Sequence, residues 1–130
     1  MSHEFKVRTK SKEEFIDITS QISSILKSQN VREGLVHIFI PHTTAAVTIN
    51  ENADPDVVHD ILKGLKDIVP RSGFRHMEGN SPAHIKSSII GPSLCINVKS
   101  GELMLGTWQG IYFCEFDGPR ERKVWIAFSS

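Results

Sequence analysis

The chain is poor in cysteine, has no surplus of charge of either sign and has no apolar run of membrane length. Its two cysteines, Cys95 and Cys114, show no Cys-x-x-Cys spacing, which excludes a zinc knuckle. Each lies in an apolar run and reads as a small buried hydrophobe of a reducing compartment. Fifteen basic residues balance fifteen acidic ones. That balance excludes the basic excess of a general nucleic-acid binder and leaves little repulsion between copies of the chain. No stretch approaches the ~20 apolar residues that cross a bilayer, and the polar start, Ser2 to Glu4, does not read as a signal peptide. These absences predict a cytoplasmic protein with neither nucleic acid nor membrane as partner. A Walker-type or dinucleotide-binding glycine loop is also lacking, which excludes an ordinary nucleotide-binding domain.

What is present suits one domain. At 130 residues, a chain with 39 % apolar and 23 % charged residues has material for a real core. Glu4 to Thr9 alternates as a half-buried strand, and Phe15 to Ile18 follows a turn at Ser11-Lys12, so the opening reads as a hairpin. Thr19 or Ser20 is placed to cap a helix whose apolar face is Ile22, Ile25 and Leu26. Leu35 to Ile40 is apolar except at His37, which predicts a strand covered on both faces with His37 as a core histidine. Ala45 to Asn50 is the next strand. Asp54-Pro55 starts a helix striped by Val58, Ile61, Leu62, Leu65 and Ile68. Arg71 to Ser81 is a loop, and Ala83 to Ile90 a short helix or turn. Strands follow at Ser93 to Val98, from Leu103 through a break at Gly106 to Asp117, and at Lys123 to Phe128. In the second of these stretches Tyr112, Cys114 and Phe116 share one face, and Gln109, Ile111, Phe113 and Glu115 the other. The class is α+β, a single domain with a mostly antiparallel, barrel-like sheet and two main helices.

The chemistry gathers between Pro41 and Asp60 and again from His76 to Ser88. His42, His59, His76 and His84 lie at element ends or in loops, beside carboxylates and amides, where core packing does not account for them. Neutral imidazoles of this kind suit a divalent metal such as zinc, or an acid–base cluster. Thr43, Thr44, Asn52, Asn80, Lys86, Ser87, Ser88 and Arg120 are polar groups suited to holding a phosphate. Glu51 and Asp60 remain as general base or as carboxylate partner to a histidine such as His59. Gly106-Thr107-Trp108-Gln109-Gly110 sets an aromatic and an amide between glycines. Gln109 joins the catalytic candidates, and Trp108 reads as a core or subunit-contact residue.

Several of these stretches together resemble the YjbQ-like family, also described as secondary thiamine-phosphate synthase. They are His42-Thr43-Thr44-Ala45, Asn50-Glu51-Asn52-Ala53-Asp54-Pro55, His59-Asp60, Ala83-His84-Ile85-Lys86-Ser87-Ser88, Gly106-Thr107-Trp108-Gln109 and Glu115-Phe116-Asp117-Gly118-Pro119-Arg120. The resemblance covers nearly the whole chain. It implies a homotrimer of compact α+β subunits. It also implies a polar pocket formed by His42, His76 and His84, holding a divalent metal (zinc or magnesium) or an anion. The implied activity joins a pyrimidine-methyl diphosphate to a thiazole phosphate with release of pyrophosphate. The expected partners are thus a phosphorylated small molecule and further copies of the chain. A metal-dependent hydrolase and a non-catalytic trimeric metal- or metabolite-binding protein are the alternatives.

Overall fold

The computed structural model describes residues 2–129. Its elements run β1 (Ser2–Arg8), β2 (Glu14–Asp17), α1 (Thr19–Ser28), β3 (Gly34–Phe39), β4 (Ala45–Glu51), α2 (Pro55–Ile68), α3 (Ser81–Ile90), β5 (Ser93–Lys99), β6 (Glu102–Leu103), β7 (Gln109–Glu115) and β8 (Glu121–Ser129). Two antiparallel sections, β1-β8-β3-β5-β6 and β2-β7-β4, face each other across one core, so the sheet curls into a half-barrel. The α+β class and the barrel-like sheet agree with the sequence reading.

Period-2 alternation decides what each section buries. Val36, Ile38, Val124, Ile126, Ile96 and Val98 point inward from the larger section. They meet Ala45, Val47, Ile111 and Phe113 of the smaller one, with Ile22 and Leu26 of α1 closing the core. The opposite face of the smaller section carries Ala46, Tyr112, Cys114 and Phe116, and α2 and α3 cover it through Leu65, Val58, Ile61, Leu62, Ala83 and Ile90. A fully buried leucine such as Leu65 stabilises this layer by roughly 1.5–3 kcal/mol. β7 is therefore sandwiched between two cores, and every residue from Gly110 to Phe116 is buried.

Several expectations are corrected. The opening is not a hairpin, because β1 pairs with β8 and β2 with β7, in different sections. Alternation marks a strand but not its partner. The stretch read as a short helix or turn is a helix, α3, as long as α1 at ten residues. Ile18, not Thr19, is the N-cap of α1, while the Asp17 carboxylate accepts from the Thr19 N–H at 2.9 Å and from its hydroxyl at 2.6 Å. β3 is covered on one face only. Leu35 and His37 stand exposed on the outer face with Phe39 half-buried beside them, so His37 is not a core histidine and Cys95 is not a buried thiol. Cys114 is buried as expected, and burial pushes its thiol pKa far up. Ile68 is exposed despite sharing the stripe of α2, and Trp108 is exposed rather than in the core.

Asp54 and Pro55 start α2 as the sequence predicts, with the Asp54 carboxylate accepting from the Asp56 N–H at 2.9 Å. No helix among the described residues is long and apolar enough to cross a membrane.

Candidate functional site

At the Ala45 end of β4, the chain buries a charged network. Arg122 and Glu115 occupy inward positions of β8 and β7, where alternation places apolar residues elsewhere. Their side chains are 3 % and 0 % exposed. The Arg122 guanidinium donates from Nε to Glu115 Oε1 at 2.8 Å and from its terminal nitrogen to Glu115 Oε2 and to the Thr44 hydroxyl. Thr9 Oγ1 donates to Glu115 Oε1 at 2.8 Å, and the Asp117 N–H donates to Oε2 at 3.0 Å. Burial alone would raise the Glu115 pKa. The Arg122 bonds, the Asp117 N–H and the Thr9 hydroxyl outweigh it and hold the carboxyl below its ordinary range.

His42 sits beside this network. Pro41 ends the ladder of β3, and the His42 imidazole takes the place of a ladder partner by accepting the Lys123 N–H on Nε2 at 2.9 Å. An N–H cannot accept in return, so Nε2 holds a lone pair and the neutral ring carries its proton on Nδ1. Burial, and then the Arg122 cation, lower the His42 pKa below its ordinary value. The result is a neutral imidazole whose Nδ1 donor has no partner among the described residues.

Asp117 links the network to a cavity of about 580 Å³. Four segments converge there. The C-terminal end of α2 and the residues after it supply Lys66, Val69 and Arg71; the N-terminal part of α3 supplies Asn80, Pro82, Ala83 and Lys86. The connection from β1 to β2 gives Ser11, Lys12 and Glu13, and the end of β7 gives Phe116 and Asp117. The connection is held in place by the Gly118 N–H, which donates to the Lys12 carbonyl at 2.9 Å. The approach is so close that a Cβ on Gly118 would lie 2.4 Å from the Ser11 carbonyl oxygen. Four cations thus meet two carboxylates around a partly apolar floor. Asp117 is shared between the Asn80 amide at 3.0 Å and Arg120 at 3.1 Å. Lys86, 5 % exposed, is hydrogen-bonded to Glu13. Asn80 is the N-cap of α3 but does not cap it, because its amide is turned to Asp117. The uncapped positive end of the α3 dipole therefore adds to the field in the cavity.

The other candidates are dispersed. His76 and His84 are brought together, ring centroids 5.4 Å apart, in a shallow groove lined by Phe74, Arg75, Ser81 and Ile85. His42 is engaged on Lys123 instead, and among the described residues no three His, Cys, Asp or Glu side chains gather as a metal-holding group. The Ser87 hydroxyl is spent on structure, donating to the Thr43 carbonyl at 2.6 Å and so tying α3 to the joint before β4. Ser88 donates to the His84 carbonyl at 2.9 Å. Thr43 is exposed.

Glu51 and Gln109 face each other at the far end of β4 and β7. Six strand steps from Ala45 put them about 20 Å from the buried network. There the Glu51 carboxylate accepts from the Asp54 N–H at 3.2 Å, and Gln109 Oε1 accepts from the Gly106 N–H at 2.7 Å. The Asn52 amide donates to Asp17 at 3.2 Å. His59 and Asp60 lie 3.4 Å apart on an exposed face of α2, about three-quarters exposed. Asp60 thus approaches a histidine, His59, on the surface of α2, whereas among the described residues Glu51 has the Asp54 N–H as partner and no histidine.

Sequence reasoning missed Lys12, Glu13, Lys66 and Arg71. Each reads locally as a solvated charge, and Lys66, in the last turn of α2, as an ordinary complement to the helix dipole. Glu115 and Arg122 left a signal, since both are charged residues at inward positions of an alternating strand.

A family model described as UPF0047 protein YjbQ-like matches residues 3–130. A UPF0047 protein of Methanocaldococcus jannaschii is 50 % identical over 127 residues, covering 97 % of this chain and 92 % of that one. The UPF0047 protein YugU of Bacillus subtilis is 50 % identical over 123 residues, 93 % of each. The crystal structure of a YjbQ/UPF0047 family protein from Clostridium acetobutylicum superposes with a TM-score of 0.95 at 50 % identity, covering 98 % of this chain and 99 % of that one.

Proposed function

The chain belongs to the YjbQ-like UPF0047 family, and from that premise and its cavity we propose that it binds a phosphorylated small molecule at Lys12, Lys66, Arg71 and Lys86. The observation that carries the reading is the excess of cations over carboxylates around a cavity of about 580 Å³, a volume within the range of small-ligand sites. The apolar floor of Val69, Pro82, Ala83 and Phe116 suits the body of such a ligand, and the cations with the α3 N-terminus suit its phosphate.

The reaction that fits the family resemblance is the thiamine-phosphate synthase transfer. A ring nitrogen of the thiazole phosphate forms a bond to the pyrimidine methylene carbon as the bond from that carbon to the diphosphate oxygen breaks. The cavity cations are suited to the charge developing on the departing oxygens. His42, neutral and carrying its proton on Nδ1, is an acid–base group beside the network. A divalent metal belongs to the same proposal. His76 and His84 offer two imidazoles, and remaining ligands would be water or groups from elsewhere. Self-association is supported by the open outer face of the larger section, which carries the Phe39–Trp125 stack at 5.9 Å and exposed Leu35, and the number three comes from the family resemblance.

A second reading, a non-catalytic metabolite-binding protein, is favoured by one observation. No histidine lines the cavity, and Glu51, His59, Asp60 and Gln109 lie away from it.

Calorimetric titration with phenyl phosphate tests the binding. Wild type should bind, and Lys66→Glu/Arg71→Glu should weaken binding by more than about tenfold, since two charge-assisted contacts become repulsive. Unchanged affinity would refute the site. Thiamine phosphate formed from the two half-substrates with magnesium, followed by chromatography, supports the transferase; binding without product supports the second reading.

A further inference from the structure

Lys86 is a buried ammonium whose position in the cavity wall demands a negative partner, and Glu13 is that partner. Glu13 comes from the connection between β1 and β2, a separate segment, and is itself a quarter exposed. An ammonium has three donors. Among the described residues Lys86 is held through one hydrogen bond, to Glu13, so donors remain for a ligand. Any anion that enters must therefore share Lys86 with a carboxylate already in place.

We propose that Glu13 is the specificity-determining residue of the cavity, an internal counter-ion to Lys86 that admits phosphomonoester dianions and rejects monoanions of the same shape. This rests on the reading of the cavity as a phosphate site. The reason is acceptor strength. A phosphomonoester dianion takes up its proton at about pH 6, above the ordinary carboxylate value of about 4.3. It is thus a stronger acceptor than a carboxylate and carries twice the charge. A sulfonate is a weaker acceptor than a carboxylate and carries one charge, so it cannot draw Lys86 away. The remaining lining charges fit the same choice, because Lys12, Lys66 and Arg71 against Asp117 leave two positive charges for a dianion. No histidine is among the lining residues, so a change of affinity around pH 6 belongs to the ligand.

The test compares phenyl phosphate with benzenesulfonate, its permanent monoanionic counterpart, by calorimetry. At about pH 7.5, wild type should prefer phenyl phosphate by about tenfold or more, the worth of one charge-assisted hydrogen bond. The preference should shrink as the pH falls below about 6 and the ester becomes a monoanion. Glu13→Gln should narrow it at about pH 7.5 by strengthening benzenesulfonate binding. Equal affinities in wild type, or a Glu13→Gln variant with the wild-type preference, would overturn the proposal while leaving the phosphate site standing. No phenyl phosphate binding in wild type would overturn the site itself. Should Glu13→Gln fail to fold, Glu13→Ala takes its place with the same two outcomes.

Discussion

Replacing Glu115 by glutamine isolates the buried network in one atom exchange. The side chain keeps its size but loses the charge that neutralises Arg122, and both residues are almost fully buried. Arg122 cannot shed its proton, so an uncompensated cation remains in the core. Breaking a buried pair from one side costs about 3–5 kcal/mol. At roughly 3–5 °C per kcal/mol for a chain of this size, the melting temperature should fall by about 10–20 °C near neutral pH. The same substitution carries a pH signature. Because the folded-state pKa of Glu115 is lowered, its contribution is complete above the unfolded carboxylate value and disappears as the pH falls through the folded value. The gap between wild type and Glu115→Gln should therefore be constant above about pH 5 and close below about pH 4. Thermal melts followed by circular dichroism across that range read both effects. A loss below about 1 kcal/mol, or a gap that widens in acid, would refute the charged pairing.

Gly118→Ala should destabilise by about 1–3 kcal/mol and weaken phenyl phosphate binding, because the new methyl group meets the Ser11 carbonyl and pushes residues 11–13 off the cavity; unchanged melting and affinity would contradict this. In an NMR titration His42 should show a midpoint below its ordinary value of about 6.5, and its stability contribution, present above about 6.5, should fade as the pH drops; a midpoint above that value would refute the neutral seating. His84→Ala should leave the melting temperature of metal-free protein within a few degrees while abolishing zinc binding, since His84 is only half-buried; a large drop in melting temperature would mark it as structural. Light scattering at micromolar concentration should give three times the 14.6 kDa subunit mass; a monomer or dimer mass would refute the trimer.

The parts of the fold legible in the sequence were those governed by local rules. The alternation of β1, the inward and outward faces of β7 and the Asp54-Pro55 start of α2 all stand as read. Pairing was not legible. Phe15 to Ile18 reads as the return of a hairpin, yet it joins the other section, because partner choice depends on residues a hundred positions away. Leu35 and Phe39 misled for a different reason. An apolar residue on an open face looks the same in sequence as one in a core, so His37 between them reads as internal although it is exposed. In the site, motif residues such as His42, His84 and Lys86 could be named, but what each touches could not. His42 turned to a backbone N–H and Ser87 to a carbonyl. Lys86 met Glu13, and the other cavity cations came from segments with no motif at all.

The claim on which the account depends is that the cavity beneath residues 11–13 is the ligand site. Amide chemical shifts of isotope-labelled protein, recorded during titration with phenyl phosphate, test it most directly. Saturable shifts concentrated at Lys12, Glu13, Arg71, Asn80, Ala83 and Lys86 are expected. Shifts confined to the groove of Gly73, His76, Ser81 and Ile85, or none at all, would contradict it.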